Sequence, residues 1–295
     1  IQRWQLQNLV YPAQVMDIEP TQDQGRQYFR LWLGTGESIL ARRVVLAIAG
    51  GKPQIPAWVN NLAPTYPSHT LVHANEIDLR TLHLAGEKIL IIGSGLTSGH
   101  LAIGAAKRGA KVIMMARRTF YEKLFDAEPG WLGPKYLKGF YAELDWQKRW
   151  QSIQSARNGG SLTPAVLTRL RRLEREGKLL FYENCEINQA QWRSTHWQIN
   201  CNYPEVHDCL AHLAIHRIWL CTGSTINVED WPLLGEVRAT FPVSTVNGLP
   251  VLDSGLRWPG CNLHLMGGAA ALQLGPVARN LAGARMAGDR LIDAL

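Results

Sequence analysis

The chain has 295 residues, enough for two domains that each bury a core. Its 46% hydrophobic and 19% charged content excludes a disordered chain. The balance of 31 basic against 24 acidic residues, +7 overall, suits anionic small molecules. The basic residues are scattered without a dense block, so no nucleic-acid partner is expected. Five cysteines, Cys185, Cys201, Cys209, Cys221 and Cys261, include no CxxC pair. That argues against a disulfide framework or a dithiol redox centre and fits a reducing cytoplasm. No apolar run reaches the roughly 18 residues of a membrane helix, and no signal peptide is recognised, so no membrane association is expected.

Residues 1–50 read as short strands broken by Pro12, Pro20 and Gly25. Gln27 to Leu33 and Ser38 to Ala41 are strands, and a buried strand from Val44 to Ala49 ends at Gly50-Gly51. A meander feeding such a strand is how a dinucleotide domain ends, not how it begins. The proline-spaced segment to His69 then reads as an extended connector, with a domain boundary near residues 57–65. His69 and His73, about 13 Å apart if extended, do not share a metal.

The central stretch runs from Lys88 to Arg118. An apolar strand, Ile89 to Ile92, enters Gly93-Ser94-Gly95-Leu96-Thr97-Ser98, a helix follows, and Val112 to Ala116 forms a second strand. This is a βαβ unit with a phosphate loop at its first turn. Gly93 allows the tight turn, Gly95 lets a pyrophosphate approach the backbone, and Ser98 is small enough for close packing. The helix N-terminus offers free N–H groups to phosphate. The plainer alternative is a strand-turn-helix whose glycines serve packing alone. An acidic residue at the end of the second strand would select NAD or FAD, whereas this chain has Arg117 and Arg118 there. Two guanidiniums suit a 2′-phosphate, which favours NADP(H); the alternative is a pair of solvated arginines closing a turn.

Beyond Arg118 an aromatic-rich stretch at 119–160 reads as an insertion on the nucleotide domain. Phe140, Leu144, Trp150 and Ile153 fall on one face of a helix running to about Arg157. Trp131, Tyr136, Trp146 and Trp150 line a substrate pocket or, as is commoner for aromatics at helical spacing, belong to a core. Thr163-Pro164 starts a helix that Gly177 stops. Leu179 to Tyr182 is a strand, 186–214 an antiparallel excursion, and Ile218 to Cys221 a buried strand ending at Thr222-Gly223. His207, Cys209, His212 and His216 lead into that strand at spacings too wide for a shared metal, so none is assigned. Leu249 to Asp253 and Leu263 to Met266 are strands. The latter enters Gly267-Gly268, and Gly275-Pro276 opens a long helix from Val277 whose small residues allow tight packing.

Two buried strands end in small residues, VVLAIAG at 44–50 and IWLCTG at 218–223, yet there is one phosphate loop. A loop belonging to the first ending is expected before Ile1, which would make the chain a piece of a longer protein. With VVLAIAGGKPQIP, ILIIGSGLTSG, IWLCTG and LHLMGGAAALQLGPVARNLAGARMAGDRL, the chain resembles flavin-dependent monooxygenases and related FAD/NAD(P)-binding oxidoreductases, closest to the lysine and ornithine N-monooxygenase-like proteins. It departs from them in lacking the N-terminal FAD loop and in carrying Gly267-Gly268 where many relatives have Gly-Asp.

The resemblance implies an α/β fold of two Rossmann-like dinucleotide-binding domains, with an NAD(P) domain at 61–239 inserted into a partial FAD domain at 1–60 and 240–295. It implies an FAD- and NADPH-dependent oxidoreductase of the monooxygenase type. NADP(H) would lie on Gly93, Ser94, Gly95, Leu96, Thr97, Ser98, Arg117 and Arg118. The strand endings Ala49, Gly50, Thr222 and Gly223 would flank the cofactors, the helix opening at Gly275-Pro276 would point its N-terminus at the flavin or its phosphates, and Gln273 and Asn280 would make polar contacts there. No catalytic residue or specific substrate can be named, since cofactors carry the hard chemistry. The alternative is a non-catalytic NADP(H)-binding module with an incomplete flavin site.

Overall fold

Strands buried on both faces are unbroken apolar runs, and the KILII and KVIMM segments are of this kind. In the computed structural model, which describes residues 2–48, 50–157, 159–202, 210 and 213–295, they are neighbours in a five-stranded parallel sheet. Its order is Leu71–His73, Arg217–Leu220, Lys88–Ile92, Lys111–Met115, Leu179–Tyr182. Ala49, His207, Cys209 and His212 lie outside the described residues.

The chain divides into two units. One is Lys52–Glu128 with Ala156–Thr225; the other is Ile1–Gly51, Pro129–Ser155 and Ile226–Leu295. The first holds the parallel sheet, and the strand period of two sorts its side chains. Ile89, Ile91, Val112, Met114 and Trp219 pack with Leu101, Ala102, Ala105, Val166 and Leu170 of the helices Leu96–Lys107 and Pro164–Arg175. Leu90, Ile113, Met115, Ile218 and Leu220 face the opposite way, toward Trp197 and Ile199 of an antiparallel hairpin, Ile187–Trp192 with Trp197–Cys201. Trp197, fully buried, packs on Tyr66 and Trp192 and donates its indole N–H to the Thr70 carbonyl at 3.3 Å.

The second unit opens with the expected meander, Val15–Asp23, Arg26–Leu33 and Ser38–Ala41, in antiparallel order. Gln24 and Gly25, at φ 48° and 74°, make its first turn, the left-handed pair that a two-residue hairpin loop requires. Val44–Leu46 pairs in parallel with Leu263–Leu265. Around this pair lies an apolar core that includes Trp258, Leu252, Leu256, Leu272 and Leu274.

Four expectations are corrected. The Lys52 to Asn60 segment packs in the parallel-sheet unit, because Lys52–Pro53 pairs with Ser224–Thr225 and the Gln54 N–H donates to the Gly223 carbonyl at 2.9 Å. Residues 226–239 pack in the meander unit instead of the nucleotide domain, with Val228, Leu234 and Val237 in its core. The aromatic insertion is shared: residues 129–155 belong to the meander unit, where Trp131, Trp146 and Trp150 pack against the core and Phe140 and Ile153 are part of it. Its single expected helix is two, Pro134–Ala142 and Trp146–Arg157, since the Asp145 carboxylate accepts from the N–H groups of Gln147 and Lys148 and starts a new helix.

Candidate functional site

The Gly93–Ser98 loop, the candidate phosphate site, lies at the C-terminal end of the Lys88–Ile92 strand, in the middle of the parallel sheet. Gly93 has φ 141°, and a Cβ there would lie 2.3 Å from the Cys221 carbonyl oxygen. No other residue fits that close approach of two strand ends. The same approach brings Thr222 and Gly223, at the end of the adjacent strand, beside the loop. The Thr222 hydroxyl donates to the Gln54 carbonyl, and the Gly223 carbonyl accepts from His73 Nε2 at 3.1 Å.

Gly95 is the N-cap of the Leu96–Lys107 helix and supplies no side-chain cap, so the first N–H groups of that helix are open to an anion. Leu96 and Thr97 form its first turn, with Thr97 exposed. Ser98, fully buried, donates its hydroxyl to the Gly95 carbonyl at 2.6 Å. It therefore fixes the shape of the loop from inside.

The two arginines at the end of the Lys111–Met115 strand differ. Arg117 is 78% exposed in its side chain and meets Glu186 only at 3.9 Å, a surface pair of little strength. Arg118 turns inward. Its Nη2 donates to the Gly160 carbonyl at 2.9 Å, its Nε reaches the Ser94 hydroxyl at 3.4 Å, and its guanidinium lies over the Tyr121 ring.

On the other unit, Gly267 has φ 67°, and a Cβ at Gly268 would lie 2.2 Å from Ile226 Cδ1 and 3.0 Å from Arg279 Nε. Gly275, at φ 80°, lies near Leu137 and Phe140, and Pro276 is buried. Gln273 donates to the Leu252 carbonyl at 2.6 Å and accepts from Arg290 at 3.3 Å. The Asn280 side chain accepts from the Gly283 N–H at 3.1 Å as the N-cap of the final helix. That helix is Leu281–Ala294, not one running from Val277; Pro276–Arg279 is a separate 3-10 turn. Gln273 and Asn280 thus use their side chains within the unit. Gly50 is exposed and follows the buried Val44–Leu46 strand.

A family model described as L-lysine 6-monooxygenase/L-ornithine 5-monooxygenase matches residues 3–225. The chain belongs to this family. L-lysine N6-monooxygenase of Escherichia coli is 26% identical over 181 residues, which are 58% of this chain and 40% of that enzyme. In fold, the chain is similar to ornithine hydroxylase of Pseudomonas aeruginosa, with a TM-score of 0.72 at 15% identity over 99% of this chain and 73% of that one. The same score, at 16% identity, relates it to the ornithine N-hydroxylase of Kutzneria sp. 744 with reduced FAD, NADP+ and L-ornithine, over 99% of this chain and 74% of that one. Bacillithiol disulfide reductase of Bacillus cereus is more distant at 0.57 and 14%, over 99% of this chain and 74% of that one.

Three features of this family member lie outside the expectations drawn from the sequence. A Cβ on Gly99 would lie 2.6 Å from Val166 and 2.8 Å from Leu162, so Gly99 admits the Pro164–Arg175 helix. Gly160 lies over Gly95, its hypothetical Cβ 3.1 Å from the Gly95 Cα. Arg149 is buried, donating to the carbonyls of Glu143, Leu272 and Tyr141 while lying 4.4 Å over the Trp146 ring. Burial pushes its pKa down, and the nearby Arg290 adds to this. Only the Gly99 position, one residue past the fingerprint, carried a clue, because a glycine inside a helix costs stability unless packing requires it. Among the described residues no His, Cys, Asp and Glu cluster could hold a metal. His216 accepts the Lys88 N–H on its Nδ1 at 2.9 Å. Nor is any described helix long and apolar enough to cross a membrane.

Proposed function

We propose that this chain carries the NADP(H)-binding domain and part of the FAD-binding domain of an N-hydroxylating monooxygenase acting on the side-chain amine of a basic amino acid. The observation that supports it most is the loop at Gly93–Ser98. It lies between parallel strands, where nucleotides bind in open α/β sheets, before a helix N-terminus whose N–H groups no side chain caps. Family membership adds the reaction class, and the relatives' names add lysine and ornithine as substrate candidates.

In this reading the cofactors supply the redox chemistry, and the chain binds and orients them. The loop from Gly93 to Ser98 holds the pyrophosphate against backbone N–H groups. Arg117, exposed at the end of the next strand, meets the 2′-phosphate with a planar donor fork. Thr222 and Gly223 flank the nucleotide. Gly50, Gly275 and Pro276 stand on the flavin side, where their small or rigid backbones permit close approach. Gln273 and Asn280 act there by holding the backbone in shape, since their side chains are already hydrogen-bonded.

The test is spectral and kinetic. Purified chain, alone and with added FAD, is examined for flavin absorbance, NADPH oxidation and hydroxylated lysine or ornithine. Bound flavin with substrate-stimulated NADPH oxidation supports the enzyme. NADPH binding without flavin binding leaves the second reading, a nucleotide-binding module. That reading is favoured by one observation: the side chains of Gln273 and Asn280 are already hydrogen-bonded within their own unit.

A further inference from the structure

Arg117 and Arg118 are adjacent in sequence and would both be assigned to a 2′-phosphate, yet their surroundings differ. Arg118 bridges two segments of the parallel-sheet unit, reaching Ser94 of the phosphate loop and the carbonyl of Gly160. The fit around it is close: a Cβ at Gly159 would lie 2.8 Å from its Nη2, and one at Gly160 would lie 3.1 Å from the Gly95 Cα. The segment so held is also fixed from the other side. The Leu162 N–H donates to the Tyr121 carbonyl and the Lys123 N–H to the Leu162 carbonyl, both at 2.9 Å. Leu162 is fully buried against Gly99 of the loop's own helix. Residues 159–162 therefore form a braced wall beside the phosphate loop, and Arg118 is the side chain joining wall to loop.

We propose that Arg118 is a positioning residue. It latches the Gly159 and Gly160 segment onto the phosphate loop, so shaping the pyrophosphate crevice for any nicotinamide dinucleotide, and leaves 2′-phosphate recognition to Arg117. The inference rests on the NADP(H) reading above and divides the labour of the two arginines within it. A latch acts on what NADPH and NADH share; a 2′-phosphate ligand acts on what distinguishes them.

The experiment is calorimetric titration of the full chain and its Arg117→Ala, Arg118→Ala and Arg118→Lys variants with NADPH and with NADH, alongside thermal unfolding. Arg117→Ala is expected to weaken NADPH about 10- to 100-fold, the loss of a charge-assisted contact, and NADH less than about 2-fold. Arg118→Ala is expected to weaken both by the same factor, about 10-fold. Arg118→Lys keeps the charge but lacks the fork that spans Ser94 and Gly160, so it too should weaken both equally, and it stands in if the alanine variant does not fold. Weakening of NADPH alone at position 118 overturns the latch, as does a lowered unfolding midpoint with both affinities unchanged. If the unsubstituted chain binds neither nucleotide, the NADP(H) reading itself fails; if it binds both, only the division between the arginines is at stake.

Discussion

Gly93 shows how one residue type is forced by two constraints at once. Alanine there meets a φ of 141° and a contact of 2.3 Å to the Cys221 carbonyl, and positive-φ strain alone costs about 1–3 kcal/mol. Gly93→Ala is expected to lower stability to urea by at least about 2 kcal/mol and to abolish nucleotide binding, checked by denaturation and titration. Cys221 itself carries a pH signature. Burial pushes its thiol from 9.0 up to about 12. A raised thiol pKa means the unfolded chain ionises first, so this stability is fully present below pH 9 and is lost as pH rises toward 12. The decline is up to about 1.4 kcal/mol per pH unit. Urea midpoints measured between pH 8 and 10.5 should fall less steeply in Cys221→Ala than in the unsubstituted chain. Arg149 is a third case: truncation to Ala leaves three carbonyls without their shared cation, and a loss of about 3 kcal/mol is expected in the same assay.

At the scale of elements, the final helix contains its own control. Gly283 and Gly288 both lie in Leu281–Ala294, where glycine costs about 1 kcal/mol relative to alanine. A Cβ on Gly283 would fall 2.1 Å from the Val277 carbonyl oxygen, whereas nothing lies within 4 Å of one on Gly288. Gly288→Ala is therefore expected to stabilise by about 0.5–1 kcal/mol. Gly283→Ala is expected to destabilise by about 1–3 kcal/mol, overpacking outweighing propensity. Equal effects from the two would refute the packing argument. The two helices of the aromatic segment follow similar logic: helical spacing runs through Leu144, yet that residue is 85% exposed and the Asp145 cap resets the helix.

For the whole molecule, nucleotide should act unevenly. A ligand present at 100 times its dissociation constant stabilises the state it binds by about 2.7 kcal/mol. If NADP+ binds at Gly93–Ser98, added protection from hydrogen exchange is expected in Lys88–Ile92, Leu96–Lys107 and Lys111–Met115. The Val15–Asp23 and Arg26–Leu33 strands of the other unit should change little. Protection spread evenly over both units would contradict a site confined to the parallel sheet.

The sequence by itself determined the βαβ unit, its glycine-rich turn, the meander and the helix from Pro164. Each is written locally, in strand and helix periods and in the residues that turn or cap a chain, so neighbours along the sequence suffice to specify it. Tertiary structure decided which unit receives the Pro129–Ser155 aromatics, why Gly99 must be small, and how Arg117 and Arg118 part company. These depend on residues distant in the chain: Leu272 for Arg149, Val166 for Gly99, Gly160 for Arg118. An arginine's place in a sequence states its charge and reach, but which carbonyl or phosphate lies within that reach is set only when the chain has folded.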